Sequence, residues 1–217
     1  MEKYTLVRKQ RKTLSMRLDK DGNVTVSAPL HISQSEIDKF VLSHTDWIIR
    51  KRKELSARNP LPRLTMTAGE WIPFLGREYV LRFHDKRSVT IENGVIFLPK
   101  TNPQTALTRY YAKRLKEFIL PLITHYSRFM GVQPQALRIN SARTRWGSCS
   151  AKNGLNFSFR LAMCDAIAVE YVVVHELCHI RYKNHSKVFW NEVEKYFPQF
   201  QKAKQYLKQI SYFMEII

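Results

Sequence analysis

Two histidines and a glutamate stand at a spacing that could hold and use a metal ion. His175, Glu176 and His179 form the pattern HExxH near the middle of the C-terminal half. Because four residues advance an α-helix by about 400°, the two imidazoles would lie on one face, one turn apart, and could bind a single ion. Glu176 is too constrained to be a third ligand on that face, so it would act as general base toward a metal-activated water. The spacing predicts a zinc hydrolase.

The third ligand must come from outside this helix, because catalytic zinc sites usually use three protein ligands and one open position. His185 is preferred, since the asparagine before it can end the helix in a left-handed conformation and turn the chain back. Glu192 or Glu194 remains as a carboxylate alternative. The spacing HExxHxxxxxH also matches the metzincins, but Tyr182 stands where they have glycine and no clear Met-turn follows. We therefore do not expect a metzincin.

The helix that must position these residues is indicated by its own sequence. Asp165 is suited to cap its N-terminus, and Val172, Val173 and Val174 predict that it is deeply buried. Histidines and a glutamate beside such a run would be costly to bury without a metal or a hydrogen-bond network. The context therefore favours a metal site over a chance match.

The first hundred residues predict a strand-rich module with one helical stretch. Alternating apolar residues on both sides of a turn indicate a hairpin over 13–28. Ser33 and Glu36 have the spacing of a capping box, which predicts the start of the helix. Asn59–Pro62 interrupts this pattern, and Asn93-Gly94 is typical of a later hairpin turn.

The rest of the chain reads as mainly helical with a small sheet. A long helix is predicted over 104–130, short strands follow near 137–159, and helices continue almost to the end. The fold class is therefore predicted as α+β. We expect a strand-rich N-terminal module over 1–100 and a mainly helical domain over 101–217.

The chain is strongly basic, with 36 Lys and Arg against 18 Asp and Glu and a formal net charge of +18. About half of the excess lies in segment 101–160, where Glu117 is the one acid. A field of this sign attracts polyanions, so a nucleic acid or another polyanion is a candidate partner of this segment. Its basic residues are Arg109, Lys113, Arg114, Lys116, Arg128, Arg138, Arg143, Arg145, Lys152 and Arg160.

Cysteine usage and hydropathy indicate the compartment. Cys149, Cys164 and Cys178 form an odd set without a CxxC pair, which argues against a disulfide framework and favours a reducing, cytoplasmic location. No apolar run approaches the roughly 20 residues of a membrane span, so no membrane partner is expected. Cys149 with a distant histidine could make a thiol hydrolase, but no nearby residue resembles its base.

Three segments together resemble the YgjP-like zinc metallopeptidase family: 145–150 (RWGSCS), 171–179 (YVVVHELCH) and 185–190 (HSKVFW). The resemblance implies a compact zincin-like catalytic domain and kinship with the WLM and SprT-like proteases, which act on proteins attached to DNA. It also implies zinc on the three histidines with Glu176 as base. One departure is that Ala162–Asp165 lacks a proline expected just ahead of the zinc helix.

The strand predicted before the zinc helix could bind substrate. If it is an edge strand above the metal, its backbone groups could pair with an extended peptide and hold the scissile carbonyl near the zinc. The alternative is a purely structural strand with a core tryptophan. The substrate-binding candidates are Arg145, Trp146, Gly147 and Ser148.

The function predicted from the sequence is therefore a zinc-dependent metallopeptidase acting on a peptide or protein. Two other functions stay open. One is a metal-dependent hydrolase of nucleotide phosphoanhydrides, attracted by the basic segment. The other is a nucleic-acid-binding protein in which zinc is structural.

Overall fold

The structure, a computed structural model, describes residues 2–19, 21–56 and 64–217. The chain divides into two units, Met1–Leu61 and Pro62–Ile217. The break predicted at 59–62 lies outside the described residues. No helix within the described ranges is long and apolar enough to cross a membrane.

The first unit contains a three-stranded sheet in the order β1-β3-β2. Its strands are β1 (Tyr4–Arg8), β2 (Ser15–Leu18) and β3 (Val24–Ala28). The pairing of β2 with β3 is antiparallel, which confirms the predicted hairpin, whereas β1 runs parallel to β3. Alternate side chains of the central strand β3 are buried, as the period of two requires.

Two helices follow the sheet in the described part of the first unit. The capping box is confirmed: the Ser33 hydroxyl accepts a hydrogen bond from the Glu36 backbone N–H, and α1 (Gln34–Ser43) begins there. The single helical stretch expected from the sequence is wrong, because the chain breaks at His44 before α2 (Thr45–Ser56). The hydroxyls on both sides of His44 donate to carbonyls three residues back, and such bonds compete with regular helix.

The second unit begins with a four-stranded sheet in the order β4-β5-β7-β6. Its strands are β4 (Trp71–Phe74), β5 (Arg77–His84), β6 (Thr90–Glu92) and β7 (Val95–Pro99). The Asn93-Gly94 hairpin is confirmed between β6 and β7, and both turn residues have positive φ, at 49° and 77°. The sheet is mixed, because β5 and β7 run parallel.

This sheet belongs to the same core as the following helix, α3 (Pro103–Met130). Ile96 from β7 is fully buried in that core, as is Tyr111 from α3, whose hydroxyl donates to the Pro73 carbonyl at 2.5 Å. The second unit therefore extends to both sides of residue 100. The domain boundary expected at that position stays a prediction.

A second small sheet and three more α-helices follow in this unit. The sheet has the order β8-β10-β9, in which β9 pairs antiparallel with β10 and lies at an edge. Its strands are β8 (Ala136–Asn140), β9 (Gly147–Cys149) and β10 (Gly154–Ser158). The helices are α4 (Ala166–Arg181), α5 (Lys187–Tyr196) and α6 (Phe200–Gln209). Helices and separate small sheets confirm the α+β class.

Candidate metal centre

The HExxH pattern lies on α4, a helix buried over most of its surface. Asp165 occupies the predicted N-cap position, and Val172, Val173 and Val174 are at most 3% exposed. The helix packs against α3, α5, α6 and β9. Because α4 is packed on several sides, the backbone that carries His175, Glu176 and His179 is held in place.

Three histidines meet beside this helix. His175 and His179 project from successive turns of α4, and His185 comes from the segment between α4 and α5. One ring nitrogen from each lies within 4.8 Å of the others, and the Nε2 atoms of His175 and His185 are 3.1 Å apart. Nitrogen ligands at zinc bond lengths in a tetrahedral site are about 3.3 Å apart, so the cluster has a suitable size for one zinc ion.

Neighbouring oxygens orient two of the rings. His179 Nδ1 lies 2.9 Å from the Tyr182 carbonyl, to which it can only donate. Its Nε2 then keeps a lone pair for a metal, an arrangement common among metal-binding histidines. His175 Nδ1 is 3.4 Å from the Tyr171 hydroxyl, which likewise leaves Nε2 facing the cluster. The donor set thus fits a divalent ion bound through imidazole nitrogens.

Burial keeps the two imidazoles on α4 in the form that binds metals. It lowers the pKa of His175 to about 3, assisted by the proximity of His179 and His185. Burial also lowers the pKa of His179. His175 and His179 are therefore neutral near pH 7, and neutral imidazole is the form that coordinates a metal.

Glu176 is buried and lines the same cavity as the three histidines. The residue is 4% exposed, and its Oε2 has no hydrogen-bond partner among the described residues. Burial raises its pKa to about 8, against the opposing effects of the Arg145 charge and the Cys149 backbone N–H. An orphaned buried oxygen of this kind is costly, and a nearby cation with its water would both satisfy the oxygen and lower the pKa.

The edge strand β9 lies directly against Glu176. A Cβ atom added to Gly147 would be 2.7 Å from Glu176 Oε1, so only glycine leaves room for this carboxyl group. All four predicted substrate-binding residues, from Arg145 to Ser148, line a cavity of about 600 Å³ together with the three histidines and Glu176. Their role in binding substrate stays a prediction.

The carboxylate alternatives for the third ligand lie away from the cluster. Glu192 pairs with Arg181 at 3.0 Å, and Glu194 is exposed. Within the described ranges, the group of side chains close enough to share one metal is His175, His179 and His185. The geometry therefore favours the three-histidine set.

The sequence alone did not identify several residues around the cavity. Lys183 follows α4, while Lys204 and Lys208 come from α6, and all three line the cavity. Lys204 lies over the Trp190 ring, 4.2 Å from its centroid. The i,i+4 spacing of Lys204 and Lys208 was the one available signal, since it places both on a single helix face.

Cys149 also lines this cavity, but its environment opposes a nucleophilic role. Burial raises the pKa of its thiol, and the nearby Glu176 carboxyl acts in the same direction. Lys183 lies 3.8 Å from the sulfur and only partly opposes these effects. Catalytic cysteines need a lowered pKa, so the site does not favour a thiol hydrolase.

The chain is similar to known metallopeptidases. The family model of the YgjP-like metallopeptidase domain matches residues 12–210. The crystal structure of the metallopeptidase zymogen of Pyrococcus abyssi abylysin is 27% identical over 42% of this chain and 90% of that one, with a TM-score of 0.38. No curated protein matches the chain significantly. The family match spans the histidine cluster, Glu176 and β9.

Proposed function

The chain belongs to the YgjP-like metallopeptidase family, and we propose that it is a mononuclear zinc peptidase with Glu176 as its general base. His175, His179 and His185 would hold the ion. Imidazole nitrogens also suit other transition metals, but three such ligands beside an open cavity are typical of catalytic zinc.

One observation carries this proposal: three imidazoles converge within 4.8 Å beside a buried carboxyl oxygen that has no partner among the described residues. A structural zinc site is normally closed by four protein ligands. This group contains three, and it borders a cavity of about 600 Å³. The arrangement therefore supports a reactive site over a purely structural one.

The metal and the protein would have different roles in the reaction. Zinc, when bound, lowers the pKa of a coordinated water to about 7 and polarises the substrate carbonyl. Glu176 accepts the proton as the water oxygen forms its bond to the carbonyl carbon. The same carboxyl group then delivers that proton to the amide nitrogen as the C–N bond breaks. Its burial keeps bulk water from competing for the proton.

The edge strand β9 supports a peptide as substrate. Its one pairing partner within the described sheet is β10, so its other edge has no strand partner there. A peptide added there would run past Glu176 as an extra strand, and main-chain hydrogen bonds would hold it extended. Arg145, Trp146, Gly147 and Ser148 would then contact substrate.

Metal analysis and one substitution test the proposal. The purified chain should contain about one zinc, and Glu176→Gln should keep it while losing peptide hydrolysis, because the base is removed and the ligands are not. Glu194→Gln is the matched control, since Glu194 is exposed and outside the cluster. Loss of zinc in Glu176→Gln would make Glu176 a ligand and contradict this mechanism.

The reaction products separate this function from the nucleotide alternative. Peptide hydrolysis creates new amino termini, whereas hydrolysis of a phosphoanhydride releases phosphate or pyrophosphate. Release of phosphate from nucleotides, with no cleavage of a broad peptide library, would overturn the peptidase proposal. The proposal includes a cytoplasmic location, which the three free cysteines support.

A further inference from the structure

A second cavity lies in the same unit, and the proposed peptidase does not use it. Its volume is about 910 Å³, and it shares no lining residue with the metal cavity. Its walls are the end of β5, the segment 85–89, the end of β7 and the first turns of α3. We call it the basic cavity.

The basic cavity is named for its charge. A single acid, Asp85, lines it and pairs with Lys100 at 2.8 Å, while Arg114 pairs with Glu117 at 2.6 Å. The other four cations are exposed, and none forms an ion pair with any residue that the structure describes. These four are Lys86, Arg87, Arg109 and Lys113.

The four cations are placed on two walls. His84 Nε2 lies 2.7 Å from the Ser88 carbonyl and donates to it, which holds the segment carrying Lys86 and Arg87 in a closed loop. Arg109 and Lys113 are four residues apart on α3 and therefore share one face of that helix. A ligand in the cavity would meet positive charge from both walls.

The beginning of α3 adds to this field. Asn102 occupies the N-cap in a left-handed conformation and makes no side-chain cap, and the first turn contains no acidic residue. The backbone N–H groups of the first turn of α3 therefore lack the acceptor that a capping side chain usually supplies. The positive end of the helix dipole borders the cavity. This effect supplements the four side chains.

Tyr110 supplies an aromatic surface on the same wall. It is half-buried, packs against Phe74 at 5.6 Å between ring centroids, and still lines the basic cavity. A positively charged groove with an aromatic ring is the usual composition of sites for single-stranded nucleic acid, where bases stack and cations follow the backbone.

We propose that the basic cavity binds a single-stranded nucleic acid through its phosphates. One small anion could contact only some of these cations, whereas successive phosphates of a strand could reach both walls. The net charge of +18 would draw such a polymer toward the chain. The structure also divides the basic segment 101–160: Arg109, Lys113 and Arg114 line this cavity, Arg145 lines the metal cavity, and Arg160 is buried.

The salt dependence of oligonucleotide binding can be predicted from the number of cations. Each phosphate contact on a single strand contributes about −0.7 to the slope of log K against log salt, so four cations predict a slope of about −3. Binding of a fluorescein-labelled oligonucleotide to the full chain, followed by anisotropy, should then weaken about 50-fold between 50 and 200 mM salt.

A matched pair of double variants locates the site. Arg109→Ala with Lys113→Ala should weaken binding about 25-fold at 0.1 M salt and reduce the slope by about 1.4. Lys116→Ala with Arg128→Ala removes the same charge from the same helix outside the cavity, and should change both quantities much less. All four side chains are exposed, so the fold should be retained, which circular dichroism can check.

Three results would overturn the proposal. The first is no oligonucleotide binding at 50 mM salt, and the second is equal weakening by the two double variants. The third is binding of pyrophosphate or of polyglutamate as tightly as the oligonucleotide with the same dependence on Arg109 and Lys113, which would mean a small-phosphate or acidic-peptide site. These measurements need no hydrolysis, so their failure is separate from any failure of the peptidase proposal.

Discussion

Gly147→Ala is a sharp test of how β9 and Glu176 fit together. The added Cβ would lie 2.7 Å from Oε1, 2.8 Å from Cγ and 3.0 Å from Cδ of Glu176. Gly147 is not among the described residues with positive φ, so its backbone conformation accepts alanine. The contact itself is the problem, because Glu176 is 4% exposed and three of its side-chain atoms would lie within 3.0 Å of the added carbon.

The expected loss follows from the cost of overpacking. Inserting a methyl group into a packed site costs about 1–3 kcal/mol. If Glu176 must regain its original position for the reaction, kcat/KM should fall about 5- to 150-fold, since about 1.4 kcal/mol corresponds to tenfold. Zinc content should stay near one per chain, because no ligand is touched.

Cleavage of a quenched fluorescent peptide pool, with metal content measured on the same samples, would test this. Gly154→Ala is the control on the neighbouring strand, where the new Cβ would meet the exposed Ser150 hydroxyl at 3.1 Å. It should keep most of the activity. Unchanged kcat/KM in Gly147→Ala would refute the inference that β9 confines the Glu176 carboxyl group.

Three further predictions concern the metal, the substrate and the core. His185→Ala should lower zinc affinity by a large factor in competition with a chelator, whereas Glu192→Ala should change it little. Lys208 borders the metal cavity and Lys202 does not. Lys208→Glu should therefore reduce cleavage of acidic peptides relative to neutral ones, whereas Lys202→Glu should not. An equal ratio of acidic to neutral cleavage in the two variants would show that Lys208 takes no part in substrate selection. Leu115→Ala should cost about 2–5 kcal/mol in urea unfolding, since Leu115 is fully buried; a cost under 1 kcal/mol would contradict that packing.

Local sequence determined the features that depend on neighbouring residues. The capping box at Ser33 and the Asn93-Gly94 turn were predicted because each satisfies backbone groups or dihedral angles within a few positions. The α4 helix was predicted because Asp165 suits an N-cap and a run of three valines indicates a buried helix after it. The proximity of His175 and His179 follows from helix geometry alone.

Tertiary packing decided the features that join distant segments. His185 is brought within 3.1 Å of His175 by the path of the chain between α4 and α5, which no periodicity describes. The closeness of Gly147 to Glu176 depends on β9 packing against α4. The association of β4–β7 with α3 depends on which helix covers their apolar face, and hydrophobic burial is non-directional, so pattern alone could not assign that partner.

The positions of the charges in the basic segment 101–160 were likewise decided by tertiary packing. The sequence determined that 101–160 carries ten cations and one acid. Only the fold assigned Arg109 and Lys113 to one cavity, Arg145 to another and Arg160 to the interior. The physical reason is that the field at a surface depends on distances between charges in space, and positions along the chain do not specify those distances.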